Sequence, residues 1–425
     1  MKEAFLSYVW QFQLFNNANL TDANGLAIQI INVGLLNKNA GPDFSNAKIK
    51  IGDTIWAGNV ELHVNASDWK AHQHQKNKAY DNVILHVVFK NDAEIKRTDG
   101  SVITTIELKD KINQAVALKW QQFKESKTWV ACTANIAEVD DFTWLQWKDR
   151  LIIERLETKT STIQTTLKAQ QNNWDIAFFI HLTKAFGAKI NQLPFQQLAQ
   201  SINPNLVQKH LHNPKQVYAL FFGQAGFLQE DFTESYPSFL KTEYEFLKHK
   251  HGLQNLDKSI WKFSKIRPVN FPTIRIAQLA TLWMQHSNLF SKIVAAPNLK
   301  TLVSLFKTEL PNYWSTHYTF DKASVEKTKN VGSGFINSLI INTVVPMLFV
   351  YQKQSGQKTI IANSLELLEQ VTVEKNSIID NWKTIGIKAT NAYDTQALLQ
   401  LKNEYCTHLK CLSCAIGNKI LRKTI

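Results

Sequence analysis

Apolar and polar positions alternate most cleanly between Asn46 and Val64. Ala47, Ile49 and Ile51 share one face of a strand, Ile55 to Val64 supply a second strand, and Gly52-Asp53 fits the turn of a β-hairpin. Before the hairpin, Phe5, Val9 and Phe12 recur at helical spacing and predict a largely buried helix over Glu3 to Phe15. A polar loop, Asn16 to Asn24, leads to a strand over Leu26 to Val33, then to a loop over Gly34 to Phe44. Beyond the hairpin, Ser67 or Asp68 caps a short helix towards Tyr80. Val83 to Phe89 is a strand that is apolar on both faces except at His86, and Thr98-Asp99-Gly100 turns into a strand over Ser101 to Leu108.

From about Ile112 the period becomes helical. Asp140-Asp141 cap a long helix to about Gln170, with Trp144, Leu151 and Leu156 on its apolar stripe. Asn173 opens a helix that Gly187 ends, and others follow over Pro194 to Ile202, Pro214 to Phe222 and Tyr236 to Lys250. Arg267 to Arg275 forms a connector into a helix reaching about His286. No clean repeat period emerges. The pattern divides the chain into an α/β domain over residues 1–112 and a helical domain over 113–425.

The hairpin carries candidate chemistry. Asp43 stands at the mouth of its first strand. Glu61 and His63, two apart on the second, project from one face of the sheet. These three side chains can converge, and two carboxylates suit a hard divalent ion, Mg²⁺ or Mn²⁺. The plainer alternative has Asp43 capping a turn and Glu61 and His63 facing solvent. Four of the 12 histidines, His63, His72, His74 and His86, lie close in sequence. They fit a zinc site with Glu61 or Asp68, or contacts to substrate phosphates. A partnered histidine on a buried strand equally explains His86.

The order of elements, Pro42-Asp43 opening the second strand and Glu61-Leu62-His63 in the third resemble the PD-(D/E)XK, or restriction-endonuclease-like, nuclease superfamily. The resemblance implies an α+β fold, in which an N-terminal mixed sheet flanked by helices is followed by a mostly α-helical domain. It implies that Asp43 and Glu61 hold magnesium, that the Leu62 carbonyl is a further ligand, and that Glu3 is an accessory acid. His63 falls where the superfamily has a lysine. An imidazole can ligate a metal or take a proton from water, but it lacks lysine's fixed charge. Asn39-Ala40-Gly41-Pro42-Asp43-Phe44, Gly58-Asn59-Val60-Glu61-Leu62-His63 and Ile340 to Pro346 also resemble a bacterial family of uncharacterised proteins, a domain of unknown function. That likeness implies no activity.

Charge sharpens the picture. The 425 residues carry 48 Lys and Arg against 35 Asp and Glu. Residues 1–110 hold 11 basic and 12 acidic, leaving 37 against 23 in the remainder. A neutral part with candidate chemistry beside a basic part suits a nucleic-acid partner. Candidate phosphate contacts are Arg267, Arg275, Lys410, Lys419 and Arg422; for Arg275 the alternative is packing at a domain seam. Three of the four cysteines form Cys406-x4-Cys411-x2-Cys414, with His408 between the first two. His408 or the distant Cys132 would complete a tetrahedral set for Zn²⁺ or, with four cysteines, an iron–sulfur cluster. The alternative is buried thiols on a terminal helix. No secretory signal or membrane span is expected, because Asn337, Asn342 and Pro346 interrupt the most apolar stretch, Phe335 to Tyr351. A cytoplasmic protein that meets no membrane follows by default. The leading expectation is a metal-dependent nuclease acting on DNA or RNA. The alternatives are a non-catalytic nucleic-acid-binding protein on the same scaffold and a metal-stapled interaction protein.

Overall fold

The computed structural model describes every residue except Ser287, Pro297, Gly356, Gln357, Thr424 and Ile425. The chain forms two units. One is Met1–Trp147 with Leu401–Ile425, and the other is Lys148–Gln400. This division departs from the boundary at residue 112 that the change of period suggests. The first unit keeps a helix over Gln114–Glu125 because Trp120 stacks on Phe5, with ring centroids 6.0 Å apart. It recovers the C-terminal helix because Arg422 lies over the Phe12 ring at 5.0 Å.

The first unit begins with α1 (Glu3–Gln11), which buries Phe5, Leu6, Tyr8, Val9 and Trp10. It ends earlier than its apolar pattern, because Gln13 adopts φ 50° and Leu14 N–H bonds back to the Val9 carbonyl at 2.9 Å. Six strands follow: β1 (Ile28–Asn32), the short β2 (Leu35–Leu36), β3 (Phe44–Ile51), β4 (Thr54–Asn65), β5 (Val83–Lys90) and, at the far edge, the short β6 (Thr105–Glu107). The sheet order is β1-β3-β4-β5-β6, with β2 pairing on β3. The pairs β1/β3 and β3/β4 are antiparallel, whereas β4/β5 and β5/β6 are parallel. The expected mixed sheet, followed by a mostly helical region, is what the chain builds.

Two local expectations need correction. The stretch after Ser67 forms one helical turn, α2 (Asp68–Ala71); Gln73 then breaks it at φ 61°, and two 3-10 turns run to Tyr80. The stretch from Ser101 is a strand only over β6, and the Thr98-Asp99-Gly100 turn carries a lone bridge between Lys96 and Val102. Side-chain bonds hold this corner instead: Arg97 donates to the Val83 carbonyl at 2.8 Å, and Thr98 N–H to Asp81 at 3.2 Å.

β4 is the central strand, and its second half is covered on both faces. Val60 and Leu62 point one way and Glu61 and His63 the other, and all four are buried. Gly58 opens this half, where β4 meets the start of β5. A Cβ there would stand 2.7 Å from the Asn82 carbonyl oxygen and closer still to Ile84.

The second unit is helical and closes around Phe178, Phe179, Phe221, Leu279 and Val344. Asn173 caps Trp174–Phe186 by accepting from Ile176 N–H at 3.0 Å. The apolar stretch Ser333–Ser355 is long and apolar enough, by length and composition, to cross a membrane, but 67% of that window is buried within the protein. Its middle, Ile340–Val344, is a π-helical turn. The wide turn accommodates Pro346, which has no N–H for the carbonyl four residues back.

The Gly58 contact yields a stability prediction. Gly58→Ala is expected to destabilise the protein by about 1–3 kcal/mol through overpacking. Gly332→Ala, with open space around its Cβ, is expected to be near neutral. Thermal unfolding of the two variants checks the difference.

Candidate metal centre

The site is assembled where β3 leaves the loop and β4 enters the covered half of the sheet. Asp43 N–H donates to Glu61 Oε2 at 2.9 Å, and Leu62 N–H donates to Asp43 Oδ2 at 3.1 Å. Each acid thus fixes the strand that carries the other. Glu61 Oε1 then faces His74 Nε2 at 3.4 Å and His63 Nε2 at 3.8 Å. His63 Nε2 lies 3.1 Å from His72 Nδ1. One ring nitrogen from each of His63, His72 and His74 lies within 4.8 Å of the others. Ligands of one tetrahedral ion with bonds of about 2.0–2.1 Å stand about 3.3 Å apart, so these spacings fit a shared ion.

The α2 break explains why His72 and His74 reach the sheet. Their spacing of two would splay them apart on a continuous helix. With Gln73 in the left-handed region, both rings turn to the same side. Trp69, fully buried, meets the rings of His63, His74 and His86 at centroid distances of 6.3, 5.2 and 5.4 Å. Tyr80 stacks on His74 at 3.8 Å. Trp69 and Tyr80 form the apolar wall of the site. Sequence reasoning did not assign them a role, although both lie in the histidine-rich stretch.

Burial dominates the electrostatics. It pushes the Glu61 carboxyl up to about 8, with Asp43 and Glu3 adding to the rise and the Asp43 N–H opposing it. It pushes Asp43 up to about 6, against the Leu62 N–H, with Glu3 adding further. Burial, with neighbouring imidazoles adding, holds His63 down at about 3 and His74 at about 4. The neutral imidazoles are ready to ligate a divalent cation, whereas Glu61 must give up its proton when one binds, so binding there would release a proton near neutral pH.

His86 lies behind the site on β5, paired in register with Glu61, and is fully buried. Its Nε2 is 2.8 Å from His63 Nδ1. If His63 offers Nε2 as a lone pair, its proton sits on Nδ1 and is donated to His86 Nε2. His86 then carries its own proton on Nδ1, a buried atom with no hydrogen-bond partner. That unmet donor is a cost the fold bears to fix the His63 tautomer.

The other candidates are distributed as follows. Glu3 is exposed at the start of α1, near enough for its charge to act on Asp43 and Glu61. Arg275 is buried, lies over the Phe335 ring at 3.4 Å, and donates to Gln278 and Asn270 at 2.8 and 2.6 Å; its role is in packing. Arg267 is exposed. Lys419 pairs with Asp140 at 2.9 Å, Arg422 covers Phe12, and Lys410 lies 5.9 Å from the Tyr405 ring. Cys132 joins Cys406, Cys411 and Cys414 around one small cavity, while His408 is exposed and does not line it.

The fold and the site define an α+β protein whose mixed sheet carries a partly buried cluster of two carboxylates and several imidazoles, with His72 at its exposed rim. The chain belongs to the family described as "Protein of unknown function (DUF2851)", whose model matches residues 3–377. No curated protein and no solved structure matches the chain.

The burial of Glu61 has a consequence for stability. Its folded pKa of about 8 exceeds its ordinary value of 4.5, so the stability it contributes is present at low pH and is lost as pH rises through about 8. His63 and His74 act in the opposite sense, contributing above pH 6.5 and losing that contribution as pH falls towards 3 and 4. In metal-free protein the thermal midpoint should therefore fall between about pH 6.5 and 8.5. In Glu61→Gln it should stay nearly level and exceed the wild type at the upper pH by a few degrees. Parallel curves for the two proteins would show that Glu61 is not under this strain.

Proposed function

We propose that the chain is a metal-dependent nuclease that hydrolyses DNA or RNA phosphodiesters at the Asp43–Glu61–His63 site. The observation that carries this reading is the convergence of Asp43, just before β3, and Glu61 and His63 on β4 with His74 from the turn that follows α2, at distances suited to one ion. Glu61, His63, His72 and His74 would hold it, with Asp43 beside them. A divalent ion bound there supplies Lewis acidity and lowers the pKa of a coordinated water. The chain's own groups do the rest. Asp43 and Glu61 place negative charge where the ion must sit, His86 holds the His63 ring in one tautomer, and Trp69 with Tyr80 limits access of bulk water. The imidazole share of the donor set favours a transition ion such as Mn²⁺ or Zn²⁺ over Mg²⁺.

The substrate class rests on charge. Outside residues 1–110 basic residues exceed acidic ones, 37 to 23. The helical unit also contains a cavity of about 480 Å³ lined by Lys159, Lys184, Lys189 and His181, a setting suited to phosphate. The second reading is a nucleic-acid-binding protein without turnover, favoured by His63 in the position where the resembled nucleases carry lysine.

The test is a cleavage assay on single- and double-stranded DNA and RNA with Mn²⁺ or Mg²⁺, run beside Glu61→Ala. The expected outcome is cleavage abolished by chelator, supported by Mn²⁺ at lower concentration than Mg²⁺, and reduced on the order of 10²-fold or more in Glu61→Ala. His86→Gln is expected to lose about 10–100-fold, as partners of metal ligands do. Wild-type turnover surviving in Glu61→Ala sinks the proposal. Salt-sensitive binding with no turnover favours the second reading.

A further inference from the structure

The tail returns to the first unit with a second cluster. Every cysteine of the chain is in it. Cys132, Cys406, Cys411 and Cys414 are unpaired and line one cavity of about 20 Å³, with Ala131, Tyr405, Lys410 and Gly417 around them. Cys132 is separated from the other three by more than half of the chain, so sequence proximity does not account for the meeting. The residues matched by the family end at 377, before the three tail cysteines.

The backbone is shaped to bring the sulfurs in. Cys406 ends a π-helical turn, Leu401–Cys406, a wide turn that re-aims side chains. Gly417 lets the terminal helix close on Cys411, since a Cβ there would strike the Cys411 carbonyl. Cys414 is the N-cap of that helix, Ala415–Arg422, where the Ile416 and Gly417 N–H groups and Trp147 lie close enough to its sulfur to favour the thiolate. Lys402 lies near Cys406, held by a 2.8 Å bond to the Trp129 carbonyl. N–H donors and lysines around four sulfurs are the surroundings that a dianionic tetrathiolate centre needs.

Spacing separates the candidate occupants. Around a single zinc, sulfurs stand about 3.8 Å apart, given Zn–S bonds of about 2.3 Å. Among the described residues, the one group of three or more candidate ligand atoms all within 4.8 Å of one another is the histidine set, so no three of these sulfurs are that close. Spacing wider than a single zinc allows points to a larger centre, and the 20 Å³ space between the sulfurs would have to widen to admit it. We propose that Cys132, Cys406, Cys411 and Cys414 ligate one iron–sulfur cluster, which ties the tail to the connector that follows the sheet. Four thiols give up their protons to solvent on ligation. Without the cluster they are poor nucleophiles, since burial raises all four and pushes Cys132 and Cys411 up to about 12.

Iron and acid-labile sulfide are measured in full-length protein purified without oxygen, directly and after reconstitution with Fe²⁺ and sulfide. The expected result is iron and sulfide in equal amounts with broad visible absorption, retained in His408→Ala and in Glu61→Ala, and lost in Cys132→Ser. Retention in Glu61→Ala separates this centre from the carboxylate site, so either assignment can fail alone. If Cys132→Ser does not fold, Cys406→Ser serves in its place, and the wild-type analysis stands without either variant. Wild-type protein with no iron or sulfide after reconstitution overturns the proposal. One zinc per chain that depends on these cysteines overturns it too, as does iron that persists in the cysteine variants and disappears in Glu61→Ala.

Discussion

The crossed pair of bonds between Asp43 and Glu61 organises the sheet unit. Each carboxylate accepts an N–H from the strand bearing the other, at 2.9 and 3.1 Å. The pair sets how β3 leaves the loop and which face of β4 carries Glu61 and His63. Once that face is set, the parallel partner β5 brings His86 behind His63, and the turn-rich segment between the two strands must lay Trp69, His72 and His74 over the same spot. Charge-assisted bonds of this kind are among the stronger ones available to a buried carboxylate. Here they only partly offset burial, because both acids remain well above their ordinary pKa values.

That imbalance is what the proposed cation site would draw on. A buried patch with two crowded carboxyl groups, several neutral imidazoles and an unmet His86 donor is a poor way to stabilise a sheet, since apolar residues would pack there at lower cost. The same features are favourable once a cation is bound. On the proposed reading, stability is given up here for binding.

Much of this was legible in the sequence, for identifiable reasons. The hairpin was readable because its alternation is strict and Gly52-Asp53 marks the turn. The same-face placement of Glu61 and His63 follows from the period of two. The long helix from Asp141 and the cap at Asn173 were readable from their capping residues. What sequence could not supply was the meeting of His72 and His74 with His63. It depends on Gln73 taking a left-handed conformation that glutamine rarely adopts. The extent of β6 was hidden as well, because the neighbouring corner is held by Arg97 and Asp81 rather than by strand pairing. The unit boundary was missed because the helical period begins at residue 112, while the packing of Trp120 and Arg422 keeps those segments with the sheet. The role of Arg275 as a buried packing residue depends on Phe335, sixty positions away, which no local pattern reveals.

The central claim is that the acids and imidazoles of the sheet form one cation site. Anomalous diffraction from crystals of the full chain soaked in Mn²⁺ tests it most directly. The account predicts one strong peak bounded by Glu61, His63, His72 and His74, with Asp43 alongside, and no such peak in crystals of Glu61→Ala. Wild-type crystals with no anomalous density among these residues would contradict it.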